Sequence, residues 1–303
     1  MKKALIHFLT LTLLLAVGAG GYAASPSPEP GASPPSQPAA TATPDPKPLR
    51  QVKTIGVIGG VSWVSSLEYY RIMNEIVRDT LGPPASAEIL MYSISFADFA
   101  RQERLAEQGD WEPLRRTMLD AAARLKRGGA DFIVIASNTM NSTAELIEEK
   151  VGIPVLHIAD ATGEKIKKSG IGTVALLGTR YTMEANFYRD RLEKKYGLKV
   201  MTPNSTERDA INTIIFDELV NGQFRPESKA HFLRIIDRMI REEGVQGVIL
   251  GCTEIPLLIK QEDVRVPVFD TLTIHATAGV EHALSSSTGH CGRSAADRYA
   301  PHP

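Results

Sequence analysis

One segment of this chain occurs twice. Ile133-Val134-Ile135-Ala136 runs into Ser137-Asn138-Thr139, a helical stretch and Ile153-Pro154-Val155-Leu156. Val248-Ile249-Leu250-Gly251 runs into Cys252-Thr253-Glu254, a second apolar stretch and Val266-Pro267-Val268-Phe269. Each copy reads strand, polar turn, helix, strand. Strands buried on both faces are short continuous apolar runs, and open parallel sheets place ligands beyond the carboxyl ends of their strands. Two such ends, one per half, predict two half-sites facing a single small molecule.

The repeat extends to the start of each half. Thr54-Ile55-Gly56-Val57-Ile58-Gly59-Gly60 leads into a helix carrying Tyr69-Tyr70-Arg71, and Thr173-Val174-Ala175-Leu176-Leu177-Gly178-Thr179 into one carrying Phe187-Tyr188-Arg189. Gly59 and Gly178 lie 119 residues apart, and Ser137 and Cys252 lie 115 apart. One displacement relating both pairs argues for a duplicated unit. Between these points a strand is predicted over 89–95, and helices over 111–127, 211–221 and 229–243. Strands alternating with helices of ten or more residues indicate parallel sheets covered on both faces. The predicted fold class is therefore α/β: two similar, pseudo-symmetric lobes over 52–157 and 158–270, each a parallel sheet flanked by helices, with the active site in the cleft between them. A last helix over 271–284 packs back on the first lobe.

Outside this unit the composition changes. Lys2-Lys3, an apolar run from Ala4 to about Gly18 and small residues at Ala23-Ala24 form a secretory signal-peptide pattern over 1–24. The alternative, a membrane anchor, needs about 20 apolar residues, and this run is shorter. Residues 25–51 are rich in Pro, Ser and Ala and bury too little apolar surface to offset ordering entropy, so they are expected to be a linker. Residues 285–303 are expected to form a disordered tail. The expected location is periplasmic or secreted, with no membrane anchor after cleavage. Of the two cysteines, Cys252 falls inside the fold and Cys291 in the tail, which disfavours a structural disulfide. With 34 Lys and Arg against 35 Asp and Glu, no bulk charge recruits nucleic acid. A small molecule is the expected partner. No His/Cys spacing of a metal site occurs in the folded unit.

The chemistry concentrates at the turns. The glycines of Gly59-Gly60-Val61-Ser62-Trp63 allow close backbone approach to a ligand, and Ser62 is placed to cap the next helix. A dinucleotide fingerprint needs a different glycine spacing and an acidic residue after the second strand, and both are missing. Ser137-Asn138-Thr139 and Cys252-Thr253-Glu254 each end a strand and begin a helix, where free N–H groups beside hydroxyls favour a carboxylate. The same residue types also serve as ordinary N-caps, and both readings stand at this point.

These segments carry a family resemblance. Gly59-Gly60-Val61-Ser62-Trp63, Ser137-Asn138-Thr139-Met140, Leu177-Gly178-Thr179-Arg180-Tyr181-Thr182-Met183 and Gly251-Cys252-Thr253-Glu254-Ile255 resemble the signature segments of the aspartate/glutamate racemase family, in order and across the folded unit. The resemblance implies a two-lobed, homodimeric amino-acid racemase that uses neither pyridoxal phosphate nor metal. Two cysteines then flank the substrate α-carbon, one taking its proton and the other supplying one. By this carry-over Cys252 matches the second cysteine as acid or base, its thiolate favoured by a helix start. Ser137 stands where the family has the first, and a hydroxyl needs an adjacent base to act as one. Asn141 stands where the family pattern has His. Asn138 and Thr139 are implied to hold the α-carboxylate or amino group from one lobe and Thr253 from the other, while Ser62 and Thr179 line the cleft. Glu254 either accepts from the substrate ammonium or balances its helix start. A substrate side-chain carboxylate would want a cation, for which Arg180, Arg208, Arg101 and Arg104 are the candidates. His157, Asp160, Asp270 and His275 fall outside these turns and read as junction residues.

Three functions remain open on this reading: a cofactor-independent racemase acting on aspartate, glutamate or a related amino acid; a single-cysteine decarboxylase of malonate-type acids; and an exported amino-acid-binding protein that lost its acid/base pair.

Overall fold

The computed structural model describes residues 52–285. The leader over 1–24, the linker over 25–51 and the tail from 286 onward lie outside the described residues.

Two four-stranded parallel sheets carry the fold. In the first, β1 (Ile55–Gly59), β2 (Ile89–Ser93), β3 (Phe132–Ile135) and β4 (Val155–Leu156) are ordered β2-β1-β3-β4. In the second, β5 (Thr173–Gly178), β6 (Lys199–Met201), β7 (Gly247–Gly251) and β8 (Val268–Asp270) are ordered β6-β5-β7-β8. The order is the same in both, so the pseudo-symmetric α/β pair expected from the repeat is the architecture found. Every residue of β1, β3 and β7 is buried, which is why these central strands read as unbroken apolar runs.

The helices are α1 (Trp63–Leu81), α2 (Phe96–Glu107), α3 (Glu112–Arg127) and α4 (Ala144–Val151) in the first half. The second half has α5 (Ile158–Lys168), α6 (Arg180–Glu184), α7 (Asn186–Tyr196), α8 (Ser205–Asp217), α9 (Pro226–Glu243), α10 (Ile255–Leu258) and α11 (Thr271–Ser285). Their faces follow the 3.6-residue period. Leu114, Met118, Ala121 and Leu125 of α3 enter one core, and Phe232, Ile235, Ile236 and Met239 of α9 enter the matching one. Each large side chain so buried contributes about 1.5–3 kcal/mol. Among the described residues no helix is long and apolar enough to cross a membrane.

The strand order fixes where a site can form. From β1 the chain steps to β2 on one side, then crosses to β3 on the other, so the carboxyl ends of β1 and β3 diverge at a switch point. The second sheet repeats this at β5 and β7. The turns after β1 and β3 therefore share one edge of the first sheet, and those after β5 and β7 the matching edge of the second.

Helix α11 joins the halves. Leu272, Ala276, Val280 and Ala283 form one face and share a core with Tyr69, Met73 and Ile76 of α1 and with Val57 and Val134 of the first sheet. At the centre of this junction His275 donates from Nε2 to the Leu156 carbonyl at 2.7 Å and accepts at Nδ1 from the Tyr69 hydroxyl at 2.8 Å. His157 caps α5, its Nδ1 accepting from the Ala159 amide at 3.1 Å. Asp160 pairs with Arg191 and Lys195, each at 2.8 Å, and Arg191 reaches on to Glu145 of α4. Asp270 accepts from the Leu272 and Thr273 amides at the start of α11. These four residues tie elements together, as their place outside the thiol-bearing turns implied.

Burial holds both histidines neutral, His275 at about 4 and His157 at about 3, with Arg191 adding to the effect on His157. A histidine whose folded value lies below its unfolded value contributes stability that is present above the unfolded value and is lost as pH falls through the folded one. We expect stability to drop between about pH 6.5 and 4, with His275 accounting for about 3 kcal/mol of that loss. Urea unfolding at the two ends of this window checks it. His275→Leu, less stable at neutral pH because Tyr69 and Leu156 lose a partner, should show a visibly flatter acid dependence. An unchanged slope would remove His275 from the account.

Candidate active site

The turn after β1 is forced by its neighbours. Gly60 has φ +82°, and a Cβ there would lie 2.1 Å from the Ile94 carbonyl oxygen, so only glycine lets this turn press against the chain after β2. Ser62 follows with φ +64° and is buried. Its expected capping role is not what the structure shows: the hydroxyl makes no cap bond and has no partner. An N-cap takes an extended conformation, and this positive φ is not one. The Ser65 and Ser66 hydroxyls donate to the Ser62 carbonyl instead, and Ser66 Oγ accepts from the Gly60 amide.

At the end of β3 the chain enters a 3-10 turn over Thr139–Thr143 before α4. Ser137 Oγ accepts from the Met140 amide at 3.3 Å, a local cap that leaves the hydroxyl's proton uncommitted. Asn141 is fully occupied. Its Nδ2 donates to the Ser137 carbonyl at 2.7 Å and its Oδ1 accepts from the Ile158 amide at 3.0 Å, fastening β3 to the start of α5. The residue that replaces the family's His thus does structural work and offers Ser137 no base.

In the second lobe β5 and β7 approach too closely for side chains. A Cβ on Gly178 would lie 2.6 Å from the Gly251 carbonyl oxygen, and this brings Thr179 and Cys252 together at the strand ends. Thr179 caps α6 by accepting from the Thr182 amide. Cys252-Thr253-Glu254 does not act as a cap. The Cys252 thiol and the Thr253 hydroxyl both donate to Glu254 Oε2, each at 3.0 Å.

These two ends share one cavity of about 40 Å³. Ser137, Asn138, Thr139, Thr179, Cys252, Thr253 and Glu254 all line it, so seven of the eight residues named from the sequence meet there. Ser62 is not on its wall, although its neighbour Val61 is. The lobes touch across the opening: Asn138 Nδ2 donates to Thr271 Oγ1 at 3.0 Å, and the Thr139 hydroxyl lies 2.9 Å from that of Thr179 and 3.1 Å from that of Thr182. A second cavity of about 580 Å³ shares Glu103, Thr139, Thr179 and Phe216 with the first and continues outward past Trp111 and Tyr181, whose rings meet across the lobes with centroids 4.4 Å apart and planes tilted by 40°. The inner space suffices for a few waters. Thr139 and Thr179 line both cavities and form the threshold between them.

The charge arrangement reverses one expectation. Burial first, and the Glu254 carboxylate second, push the Cys252 thiol well above its ordinary value. The thiolate predicted from a helix start is not favoured, because α10 has only four residues and the carboxylate sits beside the sulfur. Cys252 is a buried thiol hydrogen-bonded to a base. Two acceptors near it, Asn138 Oδ1 and Glu254 Oε1, are buried without a hydrogen-bond partner. Unpaired buried acceptors are unfavourable, so this pole of the cavity is set for a donor such as an ammonium group.

None of the four candidate arginines lines the inner cavity. Arg180 borders the outer one and pairs with Asp209, Arg208 pairs with Glu184, Arg101 pairs with Asp98, and Arg104 is exposed. Sequence reasoning missed α2, which supplies Phe96, Phe99 and Glu103 to the wall. The signal was present, since positions 96, 99, 103 and 106 fall on one helical face. It also missed Ile215, Phe216 and Val220 on the facing wall. Among the described residues no group of three or more His, Cys, Asp or Glu is gathered as a metal site requires.

A family model for Asp/Glu/hydantoin racemases matches residues 58–279. A Yersinia pestis protein assigned as an Asp/Glu racemase superposes with a TM-score of 0.69 at 47% identity, over 77% of this chain and 99% of that one. An aspartate racemase homologue from Pyrococcus horikoshii OT3 gives 0.66 at 41% identity, over 76% and 99%. The broad specificity amino-acid racemase RacX of Bacillus subtilis is 24% identical over 58% of this chain and 75% of its own length. The glutamate racemase of Aquifex pyrophilus is 28% identical over 48% of this chain and 55% of its own, so the chain spans about half the length of that relative.

Proposed function

This chain belongs to the Asp/Glu/hydantoin racemase family, and on that premise we propose that it is an amino-acid racemase whose acid/base groups are Cys252 and Ser137. The observation that carries this reading is that the thiol and the hydroxyl end matching strands of the two lobes and line the same cavity, with Glu254 positioned to take the thiol's proton. The substrate ammonium lies against Glu254 Oε1 and Asn138 Oδ1, and its carboxylate faces the hydroxyls of Thr139 and Thr179. Cys252 passes its proton to Glu254, and the thiolate so formed removes the α-proton on one face. The resulting carbanionic centre takes a proton from Ser137 Oγ on its other face, and the proton stored on Glu254 returns to Ser137 through water, which resets the site; the same steps in reverse convert the other enantiomer. Developing charge on the substrate carboxylate is met by hydroxyl donors on largely buried residues.

Ser137 variants test the pairing. Ser137→Ala should lower inversion at least tenfold while deuterium still enters the enantiomer that meets Cys252, a split read by chiral chromatography beside proton NMR. Ser137→Cys, which restores a second thiol, should raise inversion above wild type. Inversion unaffected in the alanine variant would remove Ser137 from the reaction.

A second reading, single-cysteine decarboxylation of a malonate-type acid, gains support from Cys252 being held as a thiol ready to protonate one face. An arylmalonate turned over while amino acids are inert would favour it. The sequence pattern over 1–24 further supports export. N-terminal sequencing of the mature chain, expected to start after Ala23 or Ala24, checks that part.

A further inference from the structure

Thr271 is the first residue of α11 and is fully buried where the two lobes meet. Its hydroxyl holds a partner from each lobe. Oγ1 donates to the carbonyl of Leu250 in β7 at 2.7 Å and accepts from Asn138 Nδ2 at 3.0 Å. The directions of these two bonds are not interchangeable. A carbonyl oxygen has no proton to give, so the hydroxyl commits its one proton to Leu250 and offers Asn138 a lone pair. Of the two ends of the Asn138 amide, only the NH₂ meets a lone pair favourably. Oδ1 is thereby turned away from Thr271, and it is buried with no hydrogen-bond partner among the described residues.

That orientation decides what this end of the cavity recognises. Asn138 lines the cavity together with Cys252 and Glu254, and Glu254 Oε1 is a second buried acceptor without a partner. Two acceptors suit an ammonium group. An amide turned the other way would set its NH₂ against that group, donor against donor, and a charge-assisted hydrogen bond would be lost. The two ends of an asparagine amide are nearly equal in shape and exchange by a half-turn of χ2, so packing alone does not choose between them. The chain of hydrogen bonds from Leu250 through Thr271 to Asn138 does.

We propose that Thr271 is a positioning residue: it sets the polarity of the Asn138 amide so that Oδ1 receives the substrate ammonium, although Thr271 itself is not on the cavity wall. The proposal rests on the racemase reading and adds a residue to it. The test follows α-proton exchange in D₂O by NMR on the full chain, with whichever of L-Asp, L-Glu, L-Asn and L-Gln the wild type exchanges fastest. The 2-hydroxy acid of the same side chain serves as a competitive inhibitor, because its hydroxyl donates or accepts equally well. Thr271→Val keeps the shape and removes the hydroxyl, which lets the NH₂ turn inward. KM should rise by about tenfold or more with kcat within about threefold, while the inhibition constant of the hydroxy acid moves by less than about threefold. Thr271→Ser, which keeps the hydroxyl, should bring KM back to within about threefold of wild type. In an Asn138→Ala background, adding Thr271→Val should move KM by less than about twofold. If the unpaired Leu250 carbonyl prevents the valine variant from folding, Thr271→Ala makes room for a water there and should show the same split. A KM and an inhibition constant that rise together, or a valine effect that persists without Asn138, overturns the inference and leaves the racemase reading standing. A wild type inert towards all four amino acids sinks the racemase reading, and the inference with it.

Discussion

Cys252→Ala should lower the rate of α-proton exchange by about 10³-fold, within the range that a positioned acid/base group supplies. In the proposed reaction the thiol reaches the α-carbon from the second lobe. The loss should not come from unfolding. Cys252 packs in the second core beside Ile255 and Leu258, and deleting one sulfur there costs ~1 kcal/mol, a few degrees in a thermal melt. Glu254 Oε2 keeps the Thr253 hydroxyl as a donor in the variant. Cys252→Ser separates chemistry from hydrogen bonding, since the hydroxyl can still donate to Glu254 but is far weaker as an acid. It should be nearly as inactive as alanine. Exchange within a few-fold of wild type in either variant would contradict the assignment.

The second large effect belongs to Glu254. Glu254→Gln should lower turnover by about 10²-fold while making the thiol easier to ionise, two changes that ordinarily oppose each other. The sign follows from the causes of the shift. The carboxylate beside the sulfur disfavours the thiolate and holds the proton on Cys252, so neutralising it lets the thiol fall back toward its ordinary range, with burial still acting. The thiolate titration, followed by ultraviolet absorbance, should move to lower pH, and alkylation of Cys252 at mildly alkaline pH should speed up. Catalysis nonetheless falls because the acceptor for the thiol's proton is gone. A variant with faster turnover would show that Glu254 merely depresses the thiol's acidity and takes no proton.

How much of this was legible in the sequence differs between strands and side chains. Central parallel strands are buried on both faces, so Ile133–Ala136 and Val248–Gly251 announce themselves, and the repeat places Ser137 against Cys252 before any coordinates exist. Helix α2 was less visible because five charged residues interrupt its six apolar ones, three of which are alanine, yet Phe96, Phe99 and Glu103 contribute to the cavity wall. The threshold bonds from Thr139 to Thr179 and Thr182, and from Asn138 to Thr271, arise only when the lobes meet, and no local pattern encodes them. The state of Cys252 was read backwards for a similar reason. A strand end followed by a helix suggests a stabilised thiolate, whereas the short α10 and the inward turn of Glu254 produce the opposite field. Ser62 failed as a cap because its positive φ is a property of the whole turn, set by the contact between Gly60 and Ile94.

The most direct test of the racemase account is to start the wild-type enzyme in D₂O from each pure enantiomer of one amino acid, such as L- and D-glutamine. Deuterium content and enantiomer ratio are then followed together. The account predicts that both reactions converge on an equal mixture of hands, with deuterium at the α-carbon of every inverted molecule. Binding without exchange, or deuterium gained with the starting hand fully retained, would contradict it.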